Sequence, residues 1–304
     1  MRICDPLLPV LAREFSTTLS AAAATTTGFA LAYGSTQIFF GPLGDRVGRL
    51  PVIVAAIAIA AAASVGCAMA LTLDLLIIGR IATGAFAAAA IPLSLGWIGD
   101  NVPFSERQPV LARYLIGQML GMTAGQVGGG VLADLLGWRF AFWSIAILFA
   151  GAALMLYRSM RQAAAAATVS AAASAASRAA ATAGTPASPP TPASRADAQT
   201  GGYLKQCRLL LGDRWALIVI GTVTLEGTLL FGAVALIASY LQRSFDTSPS
   251  VAGTVSALFG LGGIFYALNA RKLLTRLRAS GLCRVGGGLI AMGMVVLLLQ
   301  TAWQ

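Results

Sequence analysis

Two carboxylates lie within apolar stretches of the chain, where a charged side chain is costly. Glu226 lies near the middle of the apolar run 215–240. Because removal from water favours the protonated form of a carboxylate, Glu226 is a candidate for binding and releasing a proton. The alternative is a permanently neutral structural glutamate that is hydrogen-bonded to Thr222 or Thr228. Asp5 invites the same argument more weakly, since its apolar segment is too short to cross a membrane.

One arginine has a comparable position. Arg80 lies inside the apolar run 75–98. A charged side chain at the centre of a membrane helix costs about 2.5–3.5 kcal/mol on insertion scales, so such residues usually serve a function. We therefore predict a role for Arg80 in coupling or in substrate binding. The alternative is that its long side chain reaches to the lipid headgroups.

The segment between the first two long apolar runs combines glycines with charges. Residues 41–49 read Gly-Pro-Leu-Gly-Asp-Arg-Val-Gly-Arg. Asp45 and Arg49 are four residues apart, so one helical turn can bring them together. Asp100 ends a later apolar run. The spacing predicts a charge cluster at a tight interhelical turn, although solvated interfacial charges remain an alternative.

This segment resembles the loop after the second span of the major facilitator superfamily, whose pattern is Gly-x-Leu-Ala-Asp-Arg-x-Gly-Arg-Arg. The departures are Gly44, where alanine is usual, and Leu50, where a second basic residue is usual. In related transporters this loop latches the two halves of the protein in one conformation. The glycines that match the motif are Gly41 and Gly48. The residues that match the latch are Asp45, Arg46, Arg49 and Asp100. The superfamily also has a span-four pattern of Arg followed four residues later by Gly, which Arg80 and Gly84 match.

A second glycine-rich segment predicts close helix packing. Glycines recur every four residues at Gly117, Gly121, Gly125 and Gly129. Such a stripe allows two helices to approach closely. The segment 121–130 also resembles the antiporter signature Gly-x-x-x-Gly-Pro-x-x-Gly-Gly, with Gly130 as its last residue. Gln126 replaces the proline, which weakens the assignment of export direction.

Composition places the chain in a membrane. Hydrophobic residues make up 57% of the 304 residues and charged residues 11%, against about 25% charged in soluble domains. The mean hydropathy is +0.79. The chain has no histidine, and its four cysteines are far apart. No nucleotide-binding loop of the type G-x-x-x-x-G-K-[ST] is present. We predict neither an enzyme nor a bound cofactor or metal.

Hydropathy predicts an all-α polytopic protein with a partial first span and about eight complete transmembrane helices. These spans are 20–41, 51–71, 75–98, 110–133, 139–157, 215–241, 250–270 and 283–302. The expected domains are an N-terminal half-bundle (1–157), a disordered cytoplasmic linker rich in Ala, Ser, Thr and Pro (158–214), and a C-terminal half-bundle (215–304). Against the twelve spans of the superfamily, the chain is expected to be short at both ends and not to transport alone.

The distribution of basic residues predicts the orientation. Most of the 21 lysines and arginines fall on the side that carries the segment 41–49. Basic residues are enriched in cytoplasmic loops, so this side is expected to face the cytoplasm of a cell with an inner membrane. The same distribution explains the net charge of +10 without a nucleic acid.

The resemblance implies a secondary active transporter, with proton-coupled efflux of small molecules by alternating access. Its expected partners are the lipid bilayer, a small-molecule substrate and protons. Two alternatives remain: a non-functional fragment of such a transporter, and a non-transporting membrane sensor or assembly partner. The sequence does not identify the substrate.

Overall fold

The computed structural model describes residues 2–181 and 212–301. These residues are helical apart from short turns. A 3-10 helix at the N-terminus, Arg2–Leu7, precedes the α-helices. The α-helices of the described ranges are α1 (Leu8–Glu14), α2 (Leu19–Val47), α3 (Arg49–Ala68), α4 (Leu73–Ala87), α5 (Ala90–Asn101), α6 (Phe104–Leu135), α7 (Trp138–Ala181), α8 (Arg214–Ser244) and α9 (Pro249–Thr301).

Short polar side chains begin several of these helices. The Thr18 hydroxyl accepts the Ala21 N–H at 3.2 Å before α2, and Thr72 accepts the Leu75 N–H at 3.3 Å before α4. Asp213 caps α8 in the same way. These contacts satisfy N–H groups that have no partner within the helix, so the sequence itself fixes where the helices start.

A proline separates α4 from α5. Pro92 has no N–H to donate to the carbonyl of Ala88, four residues earlier, and its ring crowds that carbonyl. The helix is interrupted at Ala88 and resumes at Ala90, so Pro92 lies in the first turn of α5, where a proline is tolerated. The sequence predicted one uninterrupted span here.

Helix packing produces two apolar clusters. The helix α2 packs on α4, α3 packs on α7 and α4, and α6 packs on α9. The larger cluster joins the N-terminal 3-10 helix to α3, α4 and α7: Ile3, Cys4, Leu7, Leu11, Ala22, Cys67, Ala68, Ala70, Leu76, Trp138, Ala141 and Phe142. The smaller cluster joins α3 to the α4–α5 region: Val52, Ile53, Ala56, Ala89 and Leu93.

The bundle has two ends. At the Arg49 end, α2 meets α3 and α5 meets α6. At the Asp134 end, α6 meets α7 and α8 meets α9. These two names are used below.

Length and composition support membrane crossing. Among the described residues, four segments are long and apolar enough to span a membrane: Arg49–Ala68, Leu73–Asn101, Trp138–Ser170 and Pro249–Tyr266. The segment Gly281–Gly293 is a shorter apolar helix. The all-α polytopic class is therefore confirmed.

Two boundaries differ from the sequence prediction. The helix α7 continues to Ala181, so residues 158–181 of the predicted disordered linker are helical. Alanine, which dominates this stretch, has the highest helix propensity. The helix α9 is continuous where two spans, 250–270 and 283–302, were predicted. Its central residues are mostly good helix formers without proline, so nothing local ends the helix. Residues 182–211 of the predicted linker lie outside the described residues.

Candidate functional site

The predicted charge cluster forms at the Arg49 end. The Arg49 Nη2 atom lies 3.3 Å from the Asp45 Oδ1 atom and 3.2 Å from the Asp100 Oδ2 atom. Arg49 is partly buried, whereas both carboxylates are exposed. One guanidinium thus joins the last turn of α2 to the last turn of α5. A cation at the first residue of α3 is unfavourable for that helix dipole, and the two carboxylates offset this cost.

Glycines create the space for this cluster. Gly48 has φ +100°, a conformation that L side chains rarely adopt, and it connects α2 directly to α3. At Gly96 on α5, a Cβ atom would lie 2.6 Å from the Arg49 Cζ atom. The Arg49 guanidinium therefore occupies the place of a side chain on α5. The sequence indicated Gly48 but not Gly96, because the contact joins separate helices.

The rest of the segment 41–49 differs from a loop. Residues 41–47 are the last turns of α2, and only Gly48 separates the two helices. Gly44 is buried against Leu93, whose side chain fills the space that the usual alanine would need. A Cβ atom at Gly41 would meet nothing within 4 Å, so Gly41 makes no close helix contact with the described residues. Arg46 is exposed.

Arg80 lies inside the bundle. Its exposed fraction is 1%, and its Nε and Nη2 atoms have no hydrogen-bond partner in the described part of the chain. The Cζ atom lies 4.2 Å from the ring centroid of Phe29 and 5.9 Å from that of Phe142. Aromatic faces attract a desolvated cation. The guanidinium is therefore held by two rings within the bundle rather than at its surface.

Gly84 places one of these rings. A Cβ atom at Gly84 would lie 3.1 Å from the Cα atom of Phe29, so the glycine allows α2 to approach α4 at this level. The spacing of Arg80 and Gly84 noted in the sequence thus has a structural reason: Gly84 leaves room for Phe29, whose ring covers Arg80. Sequence reasoning did not find Phe29 or Phe142, which are distant in the chain.

Asp5 is fully buried in the N-terminal 3-10 helix. Cys4, beside it in the chain, is within electrostatic range of both Arg80 and Asp5. An acidic and a basic side chain therefore both lie near Cys4. Glu226 lies on α8, but its side chain is outside the described part of the structure.

The glycines of α6 pack differently from the predicted stripe. A Cβ atom at Gly117, Gly121 or Gly125 would meet nothing within 4 Å, so these three do not form the expected packed groove with other described residues. Close contact occurs at Gly129, where a Cβ atom would lie 2.6 Å from the Ile3 carbonyl oxygen, and at Gly130. Of the four regularly spaced glycines, only Gly129 therefore lies in close contact among the described residues, and its neighbour Gly130 packs as well.

The face of α6 that meets α9 forms a continuous contact, which we call the α6–α9 seal. Four residues of α6 each contact one residue of α9. The pairs are Gly130 with Pro249, Gln126 with Gly253, Thr123 with Gly260, and Met119 with Gly263. Small residues on α9 allow the two backbones to approach closely.

The seal contains unsatisfied polar groups. Gln126 has an exposed fraction of 0%, and neither atom of its side-chain amide has a hydrogen-bond partner among the described residues. Outside the seal, Gln242 on α8 is also buried; its amide nitrogen donates to the Pro6 carbonyl at 2.9 Å, while its amide oxygen has no described partner. An unpaired buried amide typically costs about 1–3 kcal/mol. The sequence indicated Gln126 but not Gln242.

The seal is tight at one end only. Gly130 and Gln126 are buried, whereas Ala112, on the same face of α6 and nearer to the Arg49 end, is exposed. The two halves of the chain therefore meet at the Asp134 end, and this face of α6 becomes accessible toward the Arg49 end.

Comparison with known proteins identifies the family. A profile described as Major Facilitator Superfamily matches residues 2–303, nearly the whole chain. The chain belongs to the major facilitator superfamily. This confirms the resemblance drawn from residues 41–49.

Curated relatives match about half of this major facilitator chain. It is 33% identical over 161 residues to Putative uncharacterized transporter YgaY of Escherichia coli K12, covering 52% of the chain and 40% of the relative. It is 30% identical over 146 residues to Uncharacterized MFS-type transporter YwfA of Bacillus subtilis, covering 46% and 34%. It is 29% identical over 142 residues to Citrate exporter 1 of Aspergillus niger, covering 47% and 27%. The matches thus span less than half the length of each relative.

Proposed function

We propose that the native gene product, meaning the protein as its source cell makes it, is a secondary active transporter. It would export small molecules in exchange for protons. The chain would contribute an N-terminal half-bundle, residues 1–157, and helices of a C-terminal half-bundle, residues 215–304. The two halves would rock about a central site, opening one end at a time. The exporter among the relatives supports the outward direction.

The observation that carries this proposal is the asymmetry of the α6–α9 seal. Gly130 and Gln126 are buried at the Asp134 end, while Ala112 is exposed toward the Arg49 end. A transporter that alternates between two openings is expected to rest with one end closed and the other accessible. A rigid membrane anchor would need no such gradient of burial along one face.

The Arg49 cluster is proposed as the conformational latch of the accessible end. It joins α2 to α5 through Asp45 and Asp100, so it holds the ends of two helices as one body. That body can then move as a unit when the Arg49 end closes. The exposed Arg46 is available to contact the other half in the closed conformation.

Glu226, Arg80 and Asp5 are proposed as coupling residues. Glu226 lies within α8, where loss of water favours the neutral carboxyl and entry of water favours the ion. Opening of the protein could therefore change its proton affinity. Arg80 is buried, and its Nε and Nη2 atoms have no described hydrogen-bond partner. Its positive charge would favour the ionised form of Asp5 over the protonated form.

The orientation proposed from the basic residues puts the Arg49 end in the cytoplasm of an inner membrane. The basic residues of the long helix α7 beyond the membrane, Arg158 and Arg161, lie on the same side. Residues 158–214 then remain cytoplasmic.

The test is substrate-dependent proton flux. Inverted membrane vesicles carrying the native gene product are acidified by respiration, and a panel of lipophilic cations, carboxylates and sugars is added while a pH-sensitive dye reports the gradient. We expect at least one class of compound to dissipate the gradient. Glu226→Gln should remove this response, because the amide resembles the protonated acid but cannot release a proton.

The matched control is Glu106→Gln, which changes an exposed carboxylate in the first turn of α6. This control should respond as the parent does. If a correctly inserted protein responds to no compound of the panel, proton-coupled transport is contradicted, and the non-transporting sensor is favoured. If Glu226→Gln responds as the parent does, Glu226 is structural.

A further inference from the structure

A carboxylate from one half of the chain caps a helix of the other half. Asp134 lies in the last turn of α6, and Ser250 is the second residue of α9. The Asp134 Oδ2 atom accepts the Ser250 backbone N–H at 2.8 Å and also accepts the Ser250 hydroxyl. The contact spans 116 residues of sequence. The sequence offered no sign of it, because any carboxylate near a helix end resembles a solvated charge.

The first turn of α9 depends on this contact. Pro249 has no N–H, and the Ser248 hydroxyl accepts the Val251 N–H at 3.3 Å. The Ser250 N–H lies between them and is satisfied by Asp134. A negative charge at a helix N-terminus also interacts favourably with the helix dipole. Asp134 therefore completes the cap of a helix to which it does not belong.

Among the described side chains, the remainder of the α6–α9 seal supplies no comparable polar contact between the two helices. In its four pairs a glycine meets either backbone or the side chain of Thr123 or Met119, and the amide of Gln126 has no described partner. Three ion pairs of the described residues, Asp45–Arg49, Arg49–Asp100 and Glu14–Arg139, lie within the first half. The charged contact from α6 to the N-terminus of α9 is thus placed where it can control separation of the halves.

We propose that Asp134 is the latch of the Asp134 end: it holds this end closed by capping α9 and is released when α9 moves away from α6. This assignment rests on the proposed alternation between two openings. Asp134 is a positioning residue, since it acts through the position of α9 rather than on the substrate. It would be the counterpart, at the opposite end, of the Arg49 cluster.

A buried serine provides the reporter. Ser256 on α9 is 3% exposed, and its hydroxyl donates only within its own helix, at 2.8 Å to Ala252. Ser256→Cys replaces this hydroxyl with a thiol of similar shape. A charged maleimide that cannot cross membranes is applied to intact cells and, separately, to inverted vesicles, and peptide mass spectrometry measures the labelling of each cysteine. The assay needs no substrate, so its outcome is independent of whether transport is detected.

Adding Asp134→Ala should raise the labelling rate of the Ser256→Cys reporter about fivefold, because loss of a helix cap typically costs about 1 kcal/mol. The increase should occur only when the reagent is applied to the membrane face on which Asp134 lies. Asp134→Asn keeps an acceptor oxygen and should label at about the parent rate. Asp74→Ala removes an exposed carboxylate from the first turn of α4 without touching the other half, and it should change nothing.

Cys67 separates release of the latch from general loosening. This thiol is buried between α3 and α4, away from the seal. Release of the latch should leave Cys67 unlabelled, whereas unfolding would expose both thiols. The proposal is overturned if Asp134→Ala leaves the labelling of the reporter unchanged, if Asp74→Ala raises it equally, or if the reporter and Cys67 rise together.

Discussion

Replacement of Gly96 by alanine should break the Arg49 cluster without changing a charge. The added Cβ atom would lie 2.6 Å from the Arg49 Cζ atom and closer still to Nη1, so the guanidinium must leave its position. Both ion pairs, 3.3 Å to Asp45 and 3.2 Å to Asp100, would be lost. Exposed ion pairs contribute about 0.2–1 kcal/mol each. The loss therefore amounts to about 0.5–2 kcal/mol of unfolding free energy.

The same helix contains a matched control. A Cβ atom at Gly99 would meet nothing within 4 Å, so Gly99→Ala only gains the greater helix propensity of alanine, up to about 1 kcal/mol. This gain is common to both variants on α5. The difference between Gly96→Ala and Gly99→Ala then isolates the Arg49 contact and should be about 0.5–2 kcal/mol.

The assay is thermal unfolding of the purified chain in detergent, in which size-exclusion chromatography measures the fraction that remains folded at each temperature. The difference corresponds to about 2–4 °C per kcal/mol in a chain of this size. In an Arg49→Ala background the penalty should disappear, because no guanidinium remains for the new methyl group to displace. Equal melting of the two glycine variants, or a penalty that persists without Arg49, would refute the reasoning.

Two further predictions concern the buried groups. Gly84→Ala should lower the unfolding free energy by about 1–2 kcal/mol, because its Cβ atom would press on the backbone of Phe29. Gly34→Ala has open space around it and should not lower the unfolding free energy, so thermal unfolding of the two variants tests the contact. Gln126→Met should raise the unfolding free energy by about 1 kcal/mol by removing an unpartnered buried amide, whereas Gln118→Met on the exposed face of α6 should have little effect. A decrease for Gln126→Met would show that the amide is satisfied in the folded protein.

Spacing along one helix was enough to predict the local part of the site. Asp45 and Arg49 meet because four residues make about one turn, and Asp100 joins them at the same end of the bundle. The family pattern added the expectation that these residues act together. Contacts between distant helices were not predictable: Gly96 and Phe29 carry no local signal of the arginine that each one touches.

The glycine stripe shows why periodicity alone misleads. Four-residue spacing defines a face, but the partner helix decides which face is used. The helix α9 packs on the face that contains Gln126 and Gly130, and Gly121 is left without a neighbour there. The helix at 158–181 was missed for a different reason: the segment was predicted to be disordered from its composition, but its alanines favour a helix even without packing.

Opposite changes of accessibility at the two ends of the α6–α9 seal would test the central claim most directly. Ser256→Cys reports the Asp134 end, and Ala112→Cys, on the exposed part of the same face of α6, reports the Arg49 end. Labelling of each reporter in the native gene product is measured with a proton gradient and after an uncoupler collapses it. Alternating access predicts that one reporter gains labelling as the other loses it. If both change in the same direction, or if neither changes, the two ends are not coupled and the account is contradicted.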